Sequence, residues 1–477
     1  MADFAEATDE AGPRDAGNLK GSFDTDELFK GYDGRRVKAA IALSSLWFFT
    51  AFLHLVRWGH EFVLAIALLM SIHALRVMLS KPQPAPVPLP AVGPQTGSNG
   101  PNLDELASDD LSVVSSYEDW PYVSLLVAAK NEESVISDLV EALLHLDYPA
   151  SRYDLWIIND NSSDRTPQIL DKLAQQYPAL HVVHRGPGAK GGKSGALNLV
   201  WPQTKGDIIA VFDADAQVPD NLLRWVVPMF AEDRTGAVQV RKAIENAGTN
   251  FWTRGQKAEM ALDSYMQERR IAIGGIGELR GNGQFVRREA IEQCGGWNEQ
   301  TITDDLDLTI QLHLRQWNIG LLFAPAVGEE GVTRAKALWH QRNRWAEGGF
   351  QRYLDYWRQL AKNRLGWNKS IDMADYWIIQ YMMPAVVVPD LAMALIRKQM
   401  PVFGPIVTLS VGMSCVGMFK TLRREENTSV WSAVVQTVRG NLYMLHWIVV
   451  IATMAMRISV RPKKLTWVKT AHGISAS

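Results

Sequence analysis

Long apolar runs stand at both ends of the chain and frame a central segment of mixed polarity. Two runs lie between residues 37 and 80. Each is close to the roughly 20 residues that cross a bilayer core, so they predict a transmembrane hairpin. Three more, Tyr376 to Ile396, Val402 to Phe419 and about Val434 to Met456, predict a C-terminal transmembrane region over 376–460. The basic segments before and after the last run both predict the cytoplasmic side, which a single span between them cannot satisfy, so the C-terminal topology stays open.

Between the apolar runs, residues 120–350 alternate short strand-like segments with amphipathic helical patterns. The strand-like segments are Val123 to Ala128, Leu155 to Ile158, His181 to His184 and Ile208 to Phe212. Regular alternation of this kind predicts an α/β domain with a mostly parallel sheet.

Segments without a core-forming pattern join these parts. Residues 1–36 are rich in acidic and small polar residues and predict a disordered tail, whereas 81–119 begins with alternating prolines and predicts a tether. Residues 351–375 mix Arg and Lys with Tyr, Trp and Leu, which predicts an amphipathic helix at the membrane surface. Residues 461–477 form a basic tail.

Charge and cysteine content narrow the possible functions. A net charge of −2 over 477 residues provides no field that gathers nucleic acid, so nucleic acid is not expected as a partner. The two cysteines, Cys294 and Cys415, are far apart and form neither a disulfide framework nor a CxxC metal site. The function must therefore be sought in the polar motifs of the central domain.

Acidic residues follow two of the predicted strands. Asp160 comes after Leu155 to Ile158, and Asp213 and Asp215 come after Ile208 to Phe212. Ligands of α/β domains collect at the carboxyl ends of strands. An extended backbone would place residues 213 and 215 on one side, where paired carboxylates suit Mg²⁺ or Mn²⁺ holding a diphosphate. There are simpler explanations: Asp160 can be an ordinary turn residue, and Asp213 and Asp215 can belong to a solvated acidic loop.

A glycine-rich stretch, Gly186 to Ser194, precedes a predicted helix. It approaches the phosphate-loop pattern GxxxxGK[ST], but Pro187 stands where that pattern requires Gly. A flexible loop that delivers Lys193 to a nucleotide fits this stretch, and so does an ordinary surface loop.

Two further motifs fall on predicted helices. Thr303 to Asp305 is typical of a helix start, with Thr303 as N-cap, and a carboxylate fixed there can also act as a general base. Gln341, Arg344 and Trp345 share one helical face through their i, i+3, i+4 spacing. They suit a polar acceptor or a leaving phosphate, although an interfacial helix anchored by Trp gives the same pattern.

Together these motifs resemble the family-2 glycosyltransferases of the GT-A fold, in the subgroup with spaced aspartates and a Q-x-x-R-W motif that includes cellulose, chitin and hyaluronan synthases. The resemblance covers roughly 123–349 and implies a Rossmann-like GT-A domain flanked by transmembrane helices. It implies that Asp305, with Asp304 beside it, is catalytic and that Asp213 and Asp215 hold Mg²⁺ or Mn²⁺. The implied nucleotide-sugar contacts are Ala129, Glu132, Asp160, Lys193, Asp213, Gln341, Arg344 and Trp345. The chain departs from the family pattern at Ala128, Asn159 and Asp304, where many members have Pro, Asp and Glu.

Within this family, the arrangement of membrane runs and the approach from Glu329 to Gln341 look closest to the cyanobacterial β-monoglucosyldiacylglycerol synthases. This resemblance implies inverting transfer of glucose from UDP-glucose to 1,2-diacylglycerol. The enzyme would be an integral membrane protein with a cytoplasmic catalytic domain, in a thylakoid or plasma membrane if its source is a cyanobacterium. The alternatives are a processive polysaccharide synthase that uses a UDP-sugar and a nucleotide-binding membrane scaffold without catalysis.

Overall fold

The structure, a computed structural model, describes residues 31–92, 119–426 and 429–460. Most of the predicted acidic tail, the middle of the predicted tether and the basic tail 461–477 lie outside the described residues. The chain begins with two helices, α1 (Gly31–Leu55) and α2 (Gly59–Leu79). Helix α1 thus starts before residue 36, where the sequence placed the end of the tail. Arg35 in its first turns is held by an ion pair of 2.6 Å with Asp355.

Seven strands of the central segment form one sheet in the order β3-β2-β1-β4-β6-β5-β7. Strand β6 is antiparallel to both of its neighbours, and the other pairs are parallel. The predicted mostly parallel α/β fold is confirmed. The strands are β1 (Val123–Ala129), β2 (Tyr153–Asp160), β3 (Leu180–Arg185), β4 (Ile208–Phe212), β5 (Thr235–Ile244), β6 (Gln284–Arg287) and β7 (Asn318–Glu329).

Helices cover both faces of the sheet, which is why β1 and β4 are almost continuously apolar. Alternate residues of β1 enter different cores: Leu125 and Val127 pack on one face, and Leu126 packs on the other. The helices of this domain are α3 (Ile136–Leu144), α4 (Thr166–Gln176), α5 (Gly192–Val200), α6 (Leu222–Val226), α7 (Phe251–Ala272), α8 (Arg288–Cys294) and α9 (Asp304–Leu314).

The remainder of the described chain is helical. Five segments among the described residues are long and apolar enough to cross a membrane: 34–55, 59–79, 367–397, 404–425 and 430–460. They coincide with the two N-terminal and three C-terminal apolar runs of the sequence. The helices are α10 (Ala335–Ala361), α11 (Trp367–Trp377), α12 (Met383–Arg397), α13 (Gly404–Glu426), α14 (Val430–Met444) and α15 (His446–Val460).

The amphipathic surface helix expected over 351–375 is wrong in its bounds and partly in its environment. Residues 351–361 are the second half of α10, which begins at Ala335, and Trp367 starts the helix that leads into the third candidate span. Arg352, expected to face lipid headgroups, is 3% exposed and bonds to Glu278 at 2.5 Å. A buried carboxylate binds the guanidinium and removes it from the surface.

The proline-rich tether is also corrected where the structure describes it. Residues 80–92 have no regular secondary structure but lie along the α/β domain, where Leu89 and Val92 pack against its core. The amide of Leu89 donates to the carbonyl of Arg224 at 2.9 Å, and the amide of Val92 donates to Asp147 at 2.8 Å. This part of the segment is a docked strap, because Leu89 and Val92, which are not prolines, keep amides that donate to the domain and apolar side chains that pack on its core.

Candidate active site

A cavity of about 1210 Å³ opens at the carboxyl ends of the parallel strands. Parallel strands end at one edge of a sheet, so β1, β2 and β4 deliver the residues that follow them to the same place. Every side chain that the motifs single out lies in the wall of this cavity: Ala129, Glu132, Asp160, Lys193, Asp213, Asp215, Asp304, Asp305, Gln341, Arg344 and Trp345.

The loops after β1 and β2 are bound to each other. The amide of Asn131 donates to the hydroxyl of Ser162 at 2.9 Å, and the amide of Glu132 donates to the hydroxyl of Thr166 at 2.8 Å. The amide of Ser163 donates to the Asn131 side chain at 2.7 Å. Ser162 and Ser163, in the loop from Asn159 to Asp164, therefore link the loop after β2 to the loop after β1 at this corner of the cavity.

Asp160 is the residue of the Asn159-to-Asp164 stretch that reaches the cavity. Its carboxylate accepts a hydrogen bond of 2.6 Å from Arg185, which also donates to the backbone carbonyls of Gly192 and Lys190. Arg185 thereby connects the end of β2 to the glycine-rich loop. Asn159, which stands where the family has Asp, uses its amide to bond His184 at 2.9 Å, so it supports the strand end from behind.

The two aspartates after β4 lie on a tight turn. The sequence predicted an extended backbone here, and this prediction is wrong: the amide of Ala216 donates to the carbonyl of Asp213 at 3.1 Å, which closes a turn over residues 213–216. Asp213 and Asp215 nevertheless both face the cavity, and Ala214 is buried.

Lys193, at the start of α5, is the cation nearest to this turn. Its Nζ lies 2.5 Å from Asp213 Oδ1, and 43% of the Asp213 side chain stays exposed to the cavity. Burial opposes the charge on Lys193, but the carboxylates of Asp213, Asp304 and Asp305 outweigh it and raise its pKa. The glycine-rich loop thus delivers a permanently charged ammonium group to the acidic site.

Helix α9 begins at Asp304, as the motif predicted, and places carboxylates at the cavity wall. The predicted capping bond is absent: the buried Thr303 hydroxyl has no hydrogen-bond partner among the described residues. Burial, followed by the charge of Asp304, raises the pKa of Asp305 to about 6. A carboxyl group with this pKa is ionised at neutral pH and takes up a proton more readily than an ordinary aspartate, which suits a general base.

Helix α10 carries the Gln341, Arg344 and Trp345 face that the i, i+3, i+4 spacing predicted, and all three side chains line the cavity. Arg342 and Asn343 turn the other way and are buried. The QxxRW helix and helix α9, which carries Asp304 and Asp305, are therefore two walls of one space.

These two helices touch at a glycine that sequence reasoning missed. Gly348 of α10 packs directly on Thr303, the residue before the two aspartates of α9, and a Cβ at position 348 would lie 2.8 Å from Thr303 Cβ. A pair of glycines, Gly348 and Gly349, inside an otherwise helical pattern is the signal that could have indicated this close approach.

Further charged residues of the wall were also missed. Lys242 pairs with Glu329 at 3.0 Å and lies 5.3 Å from the ring centroid of Trp345. Arg280 pairs with Asp263 at 2.6 Å, and its charge lowers the pKa of Asp305 and opposes the effect of burial. Their partners are 17 to 87 residues away in the sequence, so no local pattern identified them.

Arg280 belongs to an ionic cluster whose arginines, Arg270, Arg280 and Arg352, lie in the wall of the cavity. Glu278, with 2% of its side chain exposed, accepts from Arg352 at 2.5 Å and from Arg280 at 2.8 Å, and lies 3.7 Å from Arg270. Burial would raise the pKa of Glu278, but these guanidinium groups, with Arg352 first, hold it well below its usual range. Asp372 in the third candidate span binds Arg270 at 2.8 Å, so the cluster joins the α/β domain to the membrane helices.

Another part of the cavity wall is largely apolar and is formed mainly by candidate membrane spans. Its polar residues are Ser410, Ser414 and Asn441, and its apolar residues come from the segment that carries α12 to α15 and from α7: Met260, Leu262, Met266, Met383, Pro384, Val387, Val407, Val411, Met413, Met444, Leu445 and Ile448. One continuous space thus runs from the acidic site to side chains of helices that are long and apolar enough to cross a bilayer.

The donor atoms around the acidic turn fit a hard divalent cation. Asp213 and Asp215 offer carboxylate oxygens, and Asp304 Oδ2 is buried without a hydrogen-bond partner among the described residues. No group of three or more His, Cys, Asp or Glu side chains in the described part of the chain could hold a metal by itself. A cation here would need oxygen ligands from a bound diphosphate or from water.

Comparison with known proteins agrees with this geometry. Residues 121–348 match the family model described as glycosyltransferase like family 2. The chain is 52% identical, over 94% of its length and 90% of the relative, to a β-monoglucosyldiacylglycerol synthase of Synechocystis sp.. It is 53% identical, over 92% of its length and 90% of the relative, to the synthase of the same name from Trichormus variabilis.

A solved structure of similar fold is a mannosyltransferase from Pyrobaculum calidifontis in complex with GDP-Man and Mn²⁺. Its TM-score is 0.54 at 16% identity, over 86% of this chain and 99% of that chain. The match supports the predicted GT-A architecture at the level of fold. On the sequence matches, the chain belongs to glycosyltransferase family 2 and, within it, to the family of the cyanobacterial β-monoglucosyldiacylglycerol synthases.

Proposed function

We propose that this protein transfers glucose from UDP-glucose to the free hydroxyl of 1,2-diacylglycerol and forms β-monoglucosyldiacylglycerol. One observation carries the proposal: a single cavity joins the acidic site at the strand ends to an apolar wall made by candidate membrane spans. A soluble donor and a lipid acceptor can meet in such a cavity, and the acyl chains need not leave an apolar environment. The names of the relatives, which are 52% and 53% identical, agree with this product.

The donor would occupy the side of the cavity formed by the strand ends. Asp160 lies at the end of β2, where it could recognise the uracil of the donor. Ala129 and Glu132, at and after the end of β1, lie in the same part of the cavity wall. Lys193 and Arg344 supply positive charge for a diphosphate beside Asp213. In this arrangement, cations that are already in place stabilise the charge that develops on the leaving UDP.

Asp305 would take the proton from the acceptor hydroxyl as its oxygen attacks the anomeric carbon. Its raised pKa keeps it ionised at neutral pH yet able to hold a proton. The charge of the neighbouring Asp304 raises the pKa of Asp305 further. One displacement from the opposite face inverts the anomeric centre, so an α-linked donor gives a β-linked product without a covalent sugar intermediate.

Asp213 and Asp215 would hold Mg²⁺ or Mn²⁺ with the donor. When bound, the cation neutralises negative charge on the diphosphate. The catalytic domain would lie on the cytoplasmic side of the membrane, because UDP-sugars are made in the cytoplasm. A thylakoid or plasma membrane is the expected location if the source is a cyanobacterium.

The test is product analysis with labelled donor. Membranes that contain the protein, given labelled UDP-glucose, diacylglycerol and Mg²⁺, should yield one labelled glycolipid that partitions into organic solvent. A β-glucosidase should release the label, and an α-glucosidase should leave it in place. The Asp305→Asn variant provides the matched control for background transferases in the membranes.

Other outcomes point to other functions. Label in a water-soluble or insoluble polymer would contradict the proposal and favour a processive polysaccharide synthase. Label that stays in UDP-glucose with every lipid supplied would favour a nucleotide-binding scaffold. Label in a lipid that only an α-glucosidase cleaves would contradict the inverting mechanism.

A further inference from the structure

Arg342 is the second residue of the Gln341-to-Trp345 motif, and it is one of the most deeply buried charges in the described chain. Its side chain is 1% exposed and faces away from the cavity, whereas its neighbours Gln341 and Arg344 face into it. The proposed chemistry gives it no role. Burying a guanidinium costs free energy unless it is paired and hydrogen-bonded, so the partners of Arg342 indicate why it is there.

The guanidinium of Arg342 does not line the cavity, but it contacts two of the three side chains of the motif that do. It donates a hydrogen bond of 2.7 Å to Gln341 Oε1, and its central carbon lies 4.0 Å from the ring centroid of Trp345. Gln341 is thus held by a hydrogen bond and Trp345 by a cation–π contact. Trp345 has a second cation near its ring, Lys242 at 5.3 Å, so Arg342 and Lys242 both contact this side chain.

On its other side, Arg342 is anchored to the domain and to the last membrane helices. It pairs with Glu259 of α7 at 2.5 Å and lies 3.2 Å from the hydroxyl of Tyr443. Glu259 also accepts from the Tyr443 hydroxyl at 3.1 Å and from Trp447 Nε1 at 2.7 Å. Tyr443 and Trp447 lie at the junction of α14 and α15.

This junction is also part of the apolar wall. Met444, Leu445 and Ile448, which flank the anchor residues, line the cavity on its lipid side. A single set of hydrogen bonds and ring contacts therefore connects the wall where the acceptor would lie to the side chains that face the reacting groups.

We propose that Arg342 is a positioning residue that holds Gln341 and Trp345 in their cavity-facing conformations and couples them to the acceptor-side wall through Glu259. The planar guanidinium is required because it donates to Gln341 and Glu259 while one face stacks on Trp345, which a single ammonium group cannot do. Rigid support of this kind keeps groups at the site within a fraction of an ångström of their working positions. The coupling to a lipid acceptor rests on the proposed function, and the positioning of Gln341 and Trp345 does not.

The test is a double-mutant cycle read out by release of UDP under single-turnover conditions. Arg342→Lys keeps a positive charge beside Glu259 and should slow turnover about 10- to 100-fold, the order expected when a reacting geometry shifts by about 1 Å. UDP affinity should fall by a smaller factor than the rate, since Arg342 does not face the cavity and reaches the donor side only through Gln341 and Trp345. In a Gln341→Ala, Trp345→Leu background the same substitution should change the rate less than about twofold, because the groups it positions are gone.

Two variants complete the experiment. Tyr443→Phe removes the hydroxyl between Arg342 and Glu259 at nearly constant volume, and it should give a smaller loss that also vanishes in the double-variant background. Arg358→Lys, farther along α10 and stacked on Trp357, is the matched control and should leave turnover unchanged.

The inference would be overturned if Arg342→Lys slowed turnover by the same factor in both backgrounds, as a purely structural residue would, or if it left the wild-type rate unaltered. A fall in UDP affinity equal to the fall in rate would also overturn it. UDP release is counted whatever the acceptor is. An enzyme that releases UDP without making a glucolipid would therefore contradict the proposed function and still test the role of Arg342.

Discussion

Replacing the proposed base with its uncharged isostere, Asp305→Asn, should remove activity and stabilise the fold. The amide keeps the shape of the carboxyl and can still accept from the Leu306 amide, which lies 2.8 Å from Asp305 Oδ1. It cannot take the acceptor proton. Loss of a general base should lower kcat about 10²- to 10⁴-fold, whereas the affinity for UDP should be largely retained.

The stability gain follows from the pKa of Asp305, which burial and the neighbouring Asp304 raise from 3.8 to about 6. The folded state favours the protonated carboxyl, so the corresponding stabilisation is complete below about pH 4 and is lost as the pH rises through 6. Ionisation at pH 8 then costs at most about 3 kcal/mol. Because Asp305 is only half-buried at the cavity wall, screening by water reduces the expected gain from Asp305→Asn to about 1–3 kcal/mol.

The assay combines pH–rate profiles with thermal unfolding in detergent. Wild-type kcat should rise with pH through a midpoint near 6 and at pH 5 should be about one tenth of its plateau. The Tm of Asp305→Asn should exceed that of the wild type at pH 8, and the difference should shrink towards pH 4. Asp307→Asn is the matched control: Asp307 is a buried carboxylate of the same helix that bonds Gln311 and does not line the cavity. It should keep the wild-type midpoint.

Two results would refute this reasoning. The first is an Asp305→Asn enzyme that retains more than about a tenth of wild-type turnover at pH 8, since a lost general base costs far more. The second is an Asp305→Asn variant less stable than the wild type at pH 8, because the ionised carboxylate would then be a favourable part of the folded state.

Three other predictions concern the metal, the ionic cluster and the contact between helices. Asp215→Ala should abolish Mg²⁺-dependent binding of UDP in titration calorimetry, and full activity in excess chelator would contradict the metal assignment. Glu278→Gln takes the paired carboxylate from buried Arg352, while Arg270 and Arg280 keep Asp372 and Asp263, and it should lower the free energy of unfolding by about 3–5 kcal/mol; an unchanged Tm would show that the cluster is not stabilising. Gly348→Ala must displace Thr303 and with it the start of α9, so kcat should fall about tenfold with UDP affinity retained; unaltered kcat would mean that α9 adapts without moving Asp305.

Much of the architecture follows from local patterns. The four parallel strands predicted from short apolar segments are all present within two residues at each end, and β2, from Tyr153 to Asp160, differs most from its predicted bounds. Strand periodicity and apolar run length are set by backbone geometry and by burial, and both are visible in a window of 5 to 20 residues. For the same reason, the i, i+3, i+4 face of Gln341, Arg344 and Trp345 could be read before the structure was known.

Predictions failed where a distant partner decides the conformation. Residues 213–216 turn where an extended backbone was expected, and the amides of Asp213 and Gln217, at the ends of this turn, bond to Asn282 and Gly328. Residues 80–92 dock on the α/β domain where a free tether was expected. The helix expected to begin near 351 is continuous with the QxxRW helix, because Arg352 finds a buried carboxylate 74 residues away in sequence. Composition gives the polarity of such segments but does not identify the group against which they pack.

The sequence by itself determined the apolar runs and the parallel sheet, because each depends on residues close together in the chain. It also indicated that Asp160 and Asp213 meet at one sheet edge, because both follow predicted parallel strands. Only the tertiary structure decided that the cavity continues between the candidate spans, that Gly348 brings α10 onto α9, and that Glu278 and Glu259 neutralise buried arginines. A buried charge is tolerated only beside an opposite charge, and its partner here comes from another helix or loop. That pairing is a property of three-dimensional packing, which local sequence does not encode.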